Sequence, residues 1–376
     1  MNPTVRLGRW FGVPVGLHYS WFVIAWLIIW SLAGQFAAEN PSWGTTGVWM
    51  LAGATGALFF VGIVLHELAH ATVARFEGIP VRGITLFALG GVAQIERDAA
   101  TPGREFWMAI AGPIASYAIG FACAGIAAAA GWHGGAESPS VVAALFGWLA
   151  YINIALATFN LIPGFPLDGG RVLRAIIWAI TQNGGRATRI AARIGQAIGV
   201  LFIAAGVFSA FTYSNFSGLW IAFIGWFLLD SARANYAQAE VTASLDGVRV
   251  GDVMARDCIG VDPEMPLGRF VREGLLQMPG RCFVVERDGR TLGVISADDV
   301  GRMPAEQRER ATVADAMQPI ESLHAVAPDA PATDALTVMG RDNVSQVAVV
   351  SNGRVEGVVT RSYLLQLLRL RRELPA

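Results

Sequence analysis

Six apolar runs, each about as long as a bilayer-crossing helix, follow one another through the first 235 residues: roughly 17–37, 47–74, 105–130, 140–162, 190–211 and 217–235. A helix needs about 20 apolar residues to cross the hydrocarbon core. The pattern therefore predicts a polytopic α-helical membrane domain of six transmembrane helices. Between the second and third runs the periodicity changes. GITLFALGGVAQIE (83–96) is short, alternating and glycine-containing. The first run follows Arg6 and Arg9 directly and is long enough to span, so it reads as a transmembrane segment rather than a cleavable leader.

Past residue 236 the chain turns polar and repeats itself. VGDVMARDCIGVDPEMPLGRFV is echoed by VADAMQPIESLHAVAPDAPATDAL, at an offset of 63 residues measured from Met254 to Met317. Each unit reads as strand, helix, hairpin (ERDGR in the first, SNGRV in the second), strand, helix, an α/β tandem. The expected organisation is a membrane domain over 1–236, a linker over 237–246, and repeats over 247–305 and 306–376.

Composition agrees. The chain has 376 residues, of which 54% are hydrophobic and 15% charged; soluble domains carry about 25% charged residues. All 28 basic residues are arginine, as a GC-rich prokaryotic genome would favour. The net charge of −1 gives no footing for nucleic acid. With the N-terminus in the cytoplasm, the external loops would be about 38–46, 131–139 and 212–216, and none contains arginine. Arg75, Arg82, Arg97, Arg104, Arg171, Arg174, Arg186, Arg189 and Arg193 all fall on the other side. This places both termini and the repeats in the cytoplasm of a multi-pass cell-membrane protein. Cys123, Cys258 and Cys282 are scattered and read as free thiols rather than a disulfide framework.

Ionisable groups inside the second run carry the candidate chemistry. VLHELAHATVARFEG (64–78) puts His66 and His70 four residues apart on one helix face, with Glu67 beside them. Two imidazoles so placed can hold one metal ion, and the glutamate can take a proton from its water. Interfacial histidines without a ligand are the plain alternative, but ionisable groups in lipid are costly and usually functional. A catalytic zinc needs a third protein ligand. His18, His133 and His324 are poorly placed for it. Asp168 is the better candidate, in FNLIPGFPLDGGRVLRAIIW (159–178), where prolines and glycines break the helix near the cytoplasmic face. Broken backbone at that depth is tolerated where protein covers it or it lines a wet cavity.

HELAH in the second run and NLIPGFPLDGGR after the fourth, in that order, closely resemble the site-2 protease family of intramembrane zinc metalloproteases. The repeats resemble a pair of cystathionine-β-synthase (CBS) domains. Together they resemble the six-span branch with a C-terminal CBS pair, and the resemblance covers nearly the whole chain. It implies zinc on His66, His70 and Asp168, Glu67 as general base, and Asn160 steadying the substrate or the developing oxyanion; the plain alternative for Asn160 is a helix–helix hydrogen bond. It also implies a short membrane-associated β-hairpin insertion at 83–96, whose Phe87, Gly90 and Gly91 offer an edge to an unwound substrate segment, against a hairpin with only packing duties. IAGPIASY (110–117) matches the family's small-residue third span, except that Ser116 stands where an Asn is expected, which puts a secondary contact in doubt.

CBS pairs often bind adenine nucleotides such as ATP. GVISADD supplies the usual cue in the first repeat, with Ser296 and Asp299; the second keeps Thr360 but has Tyr363 in place of the acid. Nucleotide binding and a packing or homodimerising module both stay open. Arg361 is a candidate phosphate contact or a solvated side chain. The leading reading is hydrolysis of a peptide bond in a membrane-protein substrate. A CBS-regulated transporter or an inactive helix-binding scaffold are the rivals.

Overall fold

The computed structural model describes residues 4–376 except 89, 96–98, 133–139, 214–215, 246, 279–281, 324, 343, 345, 352–353, 362, 365 and 368–376. His133 and His324 thus lie outside the described residues. The chain divides into two compact units, Met1–Ala239 and Glu240–Ala376.

The first unit opens with two strands that its arginine-bearing start did not suggest, β1 (Val5–Trp10) and β2 (Val13–Leu17). The helices follow: α1 (Ser20–Glu39), α2 (Thr45–Phe76), α3 (Pro102–Ala129), α4 (Val141–Asn160), α5 (Asp168–Thr181), α6 (Gly184–Tyr213) and α7 (Phe216–Ser244). Among the described residues, α1, α2, α3, α4 and α6 are long and apolar enough to cross a membrane. The sixth expected span falls in α7, whose apolar stretch is interrupted by Asp230 and Arg233.

The expected hairpin forms β3 (Val81–Phe87) and β4 (Gly90–Ile95). It is part of something larger. β2 runs parallel to β3, with Val15 opposite Ile84, giving a four-stranded sheet of order β1-β2-β3-β4. The buried side chains of β2 and β3 pack on Val64, Leu68 and Ala71 of α2, which seats the sheet on the helix that carries both histidines. Among the described residues, no strand pairs with the far edge of β4.

Local chemistry sets the helix ends. α2 stops because Gly78 takes φ +73°, and the amides of Gly78 and Ile79 donate to the carbonyls of Arg75 and Ala74. Thr101 caps α3, with Pro102 in its first turn. α6 and α7 meet through small residues: a Cβ on Gly206 would lie 2.3 Å from the backbone nitrogen of Ala222. Such close backbone approach is how helices associate where lipid gives no hydrophobic drive.

In the second unit the first repeat has the expected order of elements, and the second has it as far as the strand Arg354–Thr360. Ile259–Val261, Phe283–Arg287 and Arg290–Ile295 form one sheet, with Gln318–Pro319 added at its edge. Ala325–Val326, Gln346–Ser351 and Arg354–Thr360 form the other. The opening segment of each repeat completes the core of its sister. Val248, Val250 and Val253 pack with Met339 and Val347 of the second repeat, and Val313 packs with Leu267 and Phe270 of the first.

Two cysteines depart from the sequence expectation. Cys258 and Cys282 form a disulfide; Cys123 alone is a free thiol, and it is buried. The pair is 24 residues apart in sequence, which hid it. Each cysteine immediately precedes one of two paired parallel strands, with Ile259 opposite Phe283, and that register brings them together.

Candidate metal centre

α2 presents His66 and His70 on one face, each 4% exposed. The broken segment after α4 returns the chain so that α5 begins at Asp168. Asp168 Oδ2 lies 3.1 Å from His66 Nε2 and 3.2 Å from His70 Nε2, and the two Nε2 atoms are 3.3 Å apart. Among the described residues this is the one cluster of three His, Cys, Asp or Glu side chains with converging ligand atoms. Asp168 is not the cap of its own helix: the N-cap is Leu167, with no side-chain cap hydrogen bond.

The protonation of this cluster can be read from its surroundings. His70 Nδ1 sits 2.6 Å from the Met108 carbonyl oxygen, which can only accept. Nδ1 therefore carries the proton and Nε2 can offer its lone pair. His66 Nδ1 is 2.9 Å from Ser116 Oγ. With both Nδ1 atoms engaged outward, two imidazole nitrogens and a carboxylate oxygen face one another. Acceptors at such distances require a cation among them or a second proton on a ring. Two imidazoles and one carboxylate form a zinc-type donor set that leaves a fourth position open. The space is also reserved: a Cβ on Gly112 would lie 2.2 Å from His70 Nε2 and 2.6 Å from His66 Nε2. The residues fit a zinc ion.

α3 organises this arrangement. Glu105, Met108, Gly112 and Ser116 are spaced three, four and four residues apart, so they share one buried face. Ser116, the departure from the expected Asn, supplies the contact to His66. Sequence reasoning missed Glu105, Met108 and Gly112; the signal was an acid at the mouth of an apolar run, followed by small residues at helical spacing.

Glu67 points at the sheet. A Cβ on Gly91 would lie 2.5 Å from Glu67 Cγ, and the Ala93 amide donates to the Glu67 carboxylate. β4 therefore lies against Glu67. Phe87 and Gly90 face each other across the hairpin, as do Leu86 and Gly91. Asn160, half-buried, is the last residue of α4, and no hydrogen bond joins it to the His–Asp cluster among the described residues.

The CBS residues are arranged differently. Ser296 and Asp299 cap the helix Ala297–Arg302 reciprocally. Asp299, 6% exposed, also accepts from the side-chain amides of Gln318 and of Gln346, both in the second repeat. Thr360 Oγ1 accepts from the Tyr363 amide. Arg361 is half-buried, and its Nη2 donates to the carbonyls of Met339 and Val344.

Comparison with known proteins points the same way. The model of peptidase family M50 matches residues 54–137 and 128–203, and the CBS-domain model matches 250–303 and 313–370. The zinc metalloprotease sll0528 of Synechocystis is 34% identical over 378 residues, covering 98% of this chain and 96% of its own. The zinc metalloprotease Rip3 of Mycobacterium tuberculosis is 32% identical over 370 residues, covering 98% and 93%. Among solved structures, the site-2 protease from Methanocaldococcus jannaschii is 29% identical, with a TM-score of 0.42, covering 62% of this chain and 94% of that one.

Proposed function

The chain belongs to peptidase family M50, the site-2 proteases, and on that premise we propose which of its residues perform the hydrolysis. It is a membrane-embedded zinc metalloprotease that acts on membrane-protein substrates, with a CBS pair as its regulatory module. His66, His70 and Asp168 hold the zinc. Zinc bound there would polarise the scissile carbonyl and make the attacking water more acidic. Glu67 accepts the proton of that water and passes it to the leaving amine. Asn160 steadies the substrate backbone or the developing oxyanion.

The observation that carries the assignment is the convergence of two imidazole nitrogens and a carboxylate oxygen while His70 Nδ1 faces a carbonyl. A transmembrane helix hides its peptide bonds and must open before cleavage. We place the opened segment along the free edge of β4, past Phe87, Gly90 and Gly91, as an added strand. That edge belongs to the strand covering Glu67, so a peptide laid there passes the general base. The arginine distribution puts both termini and the CBS pair in the cytoplasm, so the released product is cytoplasmic.

A nucleotide at Ser296 and Asp299 does not fit this arrangement, since the carboxylate that would take ribose hydroxyls already accepts from Ser296, Gln318 and Gln346. We therefore read the pair as a packing and homodimerising module in this conformation. The test of the catalytic assignment is Glu67→Gln in the purified full chain. Zinc content should stay at one per chain while cleavage of a membrane-spanning substrate falls by about 10²–10⁴-fold, the usual worth of a general base. Cleavage at the wild-type rate would remove Glu67 from the mechanism.

A further inference from the structure

Glu105 is fully buried in α3, and the zinc assignment gives it no part. Its Oε1 accepts from Arg171 Nε at 3.0 Å and lies 3.5 Å from Arg174 Nη1. Both arginines belong to α5, the helix that Asp168 begins. Truncating one partner of a buried charge pair is costly, because the other charge is left uncompensated. An acid held at such expense on the helix that also serves both histidines calls for a reason beyond cohesion.

We propose that Glu105 is a positioning residue for the metal centre: by gripping Arg171 and Arg174 it fixes the rotation of α5 and so aims the Asp168 carboxylate at His66 and His70. The proposal rests on the zinc assignment above. The geometry favours it in three ways. First, Arg171 is three residues beyond Asp168 and Arg174 six, so at roughly 100° per residue all three project from one side of α5. Two anchors on that side set the helix's azimuth, and the azimuth decides where Asp168 points.

Second, Glu105 completes the face of α3 already described. Met108 holds His70, Ser116 holds His66, Gly112 leaves the space between them, and Glu105 holds the third ligand through its helix. Arg171 Nη2 also reaches Met108 Sδ at 3.9 Å, which places the grip beside the residue that orients His70. Third, the segment ahead of α5 is irregular from Leu161 to Leu167. A ligand at the first residue after such a break needs its restraint from inside the helix that follows.

The test uses the full-length protein in detergent and reads zinc affinity by chelator competition, the absorption spectrum of the cobalt-substituted form, and proteolysis. Glu105→Gln keeps the shape and removes the charge. Zinc affinity should fall by about 10–100-fold, the usual effect of losing a residue that orients a ligand. The cobalt bands should shift, and Glu105→Asp should recover part of the loss. A purely cohesive role would lower thermal stability and leave the cobalt spectrum of the folded fraction untouched; that result overturns the proposal. Should Glu105→Gln fail to fold, Arg171→Lys is read instead: weaker zinc supports the grip, and wild-type affinity overturns it. Wild-type protein that binds no zinc would sink the metal assignment and this proposal together. Zinc bound by wild type, lost in Asp168→Ala and unaffected by Glu105→Gln would sink only this one.

Discussion

Asp168 and Asp299 make an instructive pair. Each lies in the first turn of a helix, each is largely shielded from water, and each stands in a motif that suggests a ligand. Their partners differ in kind. Asp168 faces two imidazole nitrogens whose partner ring nitrogens are already engaged outward, so three ligand atoms converge on one point. Asp299 faces a hydroxyl, a backbone amide and two side-chain amides, so acceptor meets donor. The first arrangement requires something positive at its centre. The second is complete. Burial alone does not mark a binding site; what does is whether the buried group's hydrogen-bonding capacity is met by the protein.

Replacing each aspartate by alanine is the strongest way to break this comparison. Asp168→Ala should lose the zinc and all measurable proteolysis while the CBS unit melts as before. Asp299→Ala should do the reverse. It leaves the amides of Gln318 and Gln346 without their acceptor, at a cost of about 1–3 kcal/mol to the second unit, and zinc content stays at the wild-type level. Zinc retained by Asp168→Ala would end the three-ligand assignment. An adenine nucleotide that stabilises the wild type but not Asp299→Ala would show that the CBS carboxylate binds a ligand after all.

The same contrast explains what could be read from sequence. HELAH and LDGGR carry their chemistry in fixed spacing, so His66, Glu67, His70 and Asp168 were visible before any fold was known. The spans were visible because lipid demands about 20 apolar residues whatever the neighbours. The β1–β2 hairpin was not, since Arg6 and Arg9 beside an apolar run read as a flank of the span. The disulfide was hidden because strand register brings its cysteines together. The engagement of Asp299 was hidden because its amide partners, Gln318 and Gln346, come from the other repeat, the latter 47 residues away. Local periodicity reports what a segment does with solvent or lipid; it does not report which distant donor satisfies a buried acceptor.

Ser116→Ala sharpens the comparison at a smaller scale. It leaves all three ligands in place and removes the one hydroxyl at His66 Nδ1. Loss of such an outer partner should cost about 10-fold in zinc affinity, with Ser116→Asn, the residue expected from the family, restoring most of it. Affinity unchanged in Ser116→Ala would mean that helix packing alone orients His66.

The smallest effect belongs to a third aspartate. Asp315 repeats the capping box of Asp299 in the opening segment of the second repeat, accepting from the Thr312 amide and hydroxyl, but it is exposed to water. Those two donors hold its carboxyl below the ordinary carboxylate value of 3.8. A lowered folded-state pKa means that the cap's contribution is whole above that value. It fades as the pH falls through the ordinary value and then through the lowered one. The stability difference between wild type and Asp315→Ala, followed by hydrogen exchange over residues 312–317, should therefore be present at neutral pH and vanish in strong acid. Water screens this exposed pair, so the difference should be slight at any pH. A difference that grew on acidification would mean that the neutral form is the one the fold prefers, and Asp315 would then no longer be the solvent-exposed counterpart of Asp299.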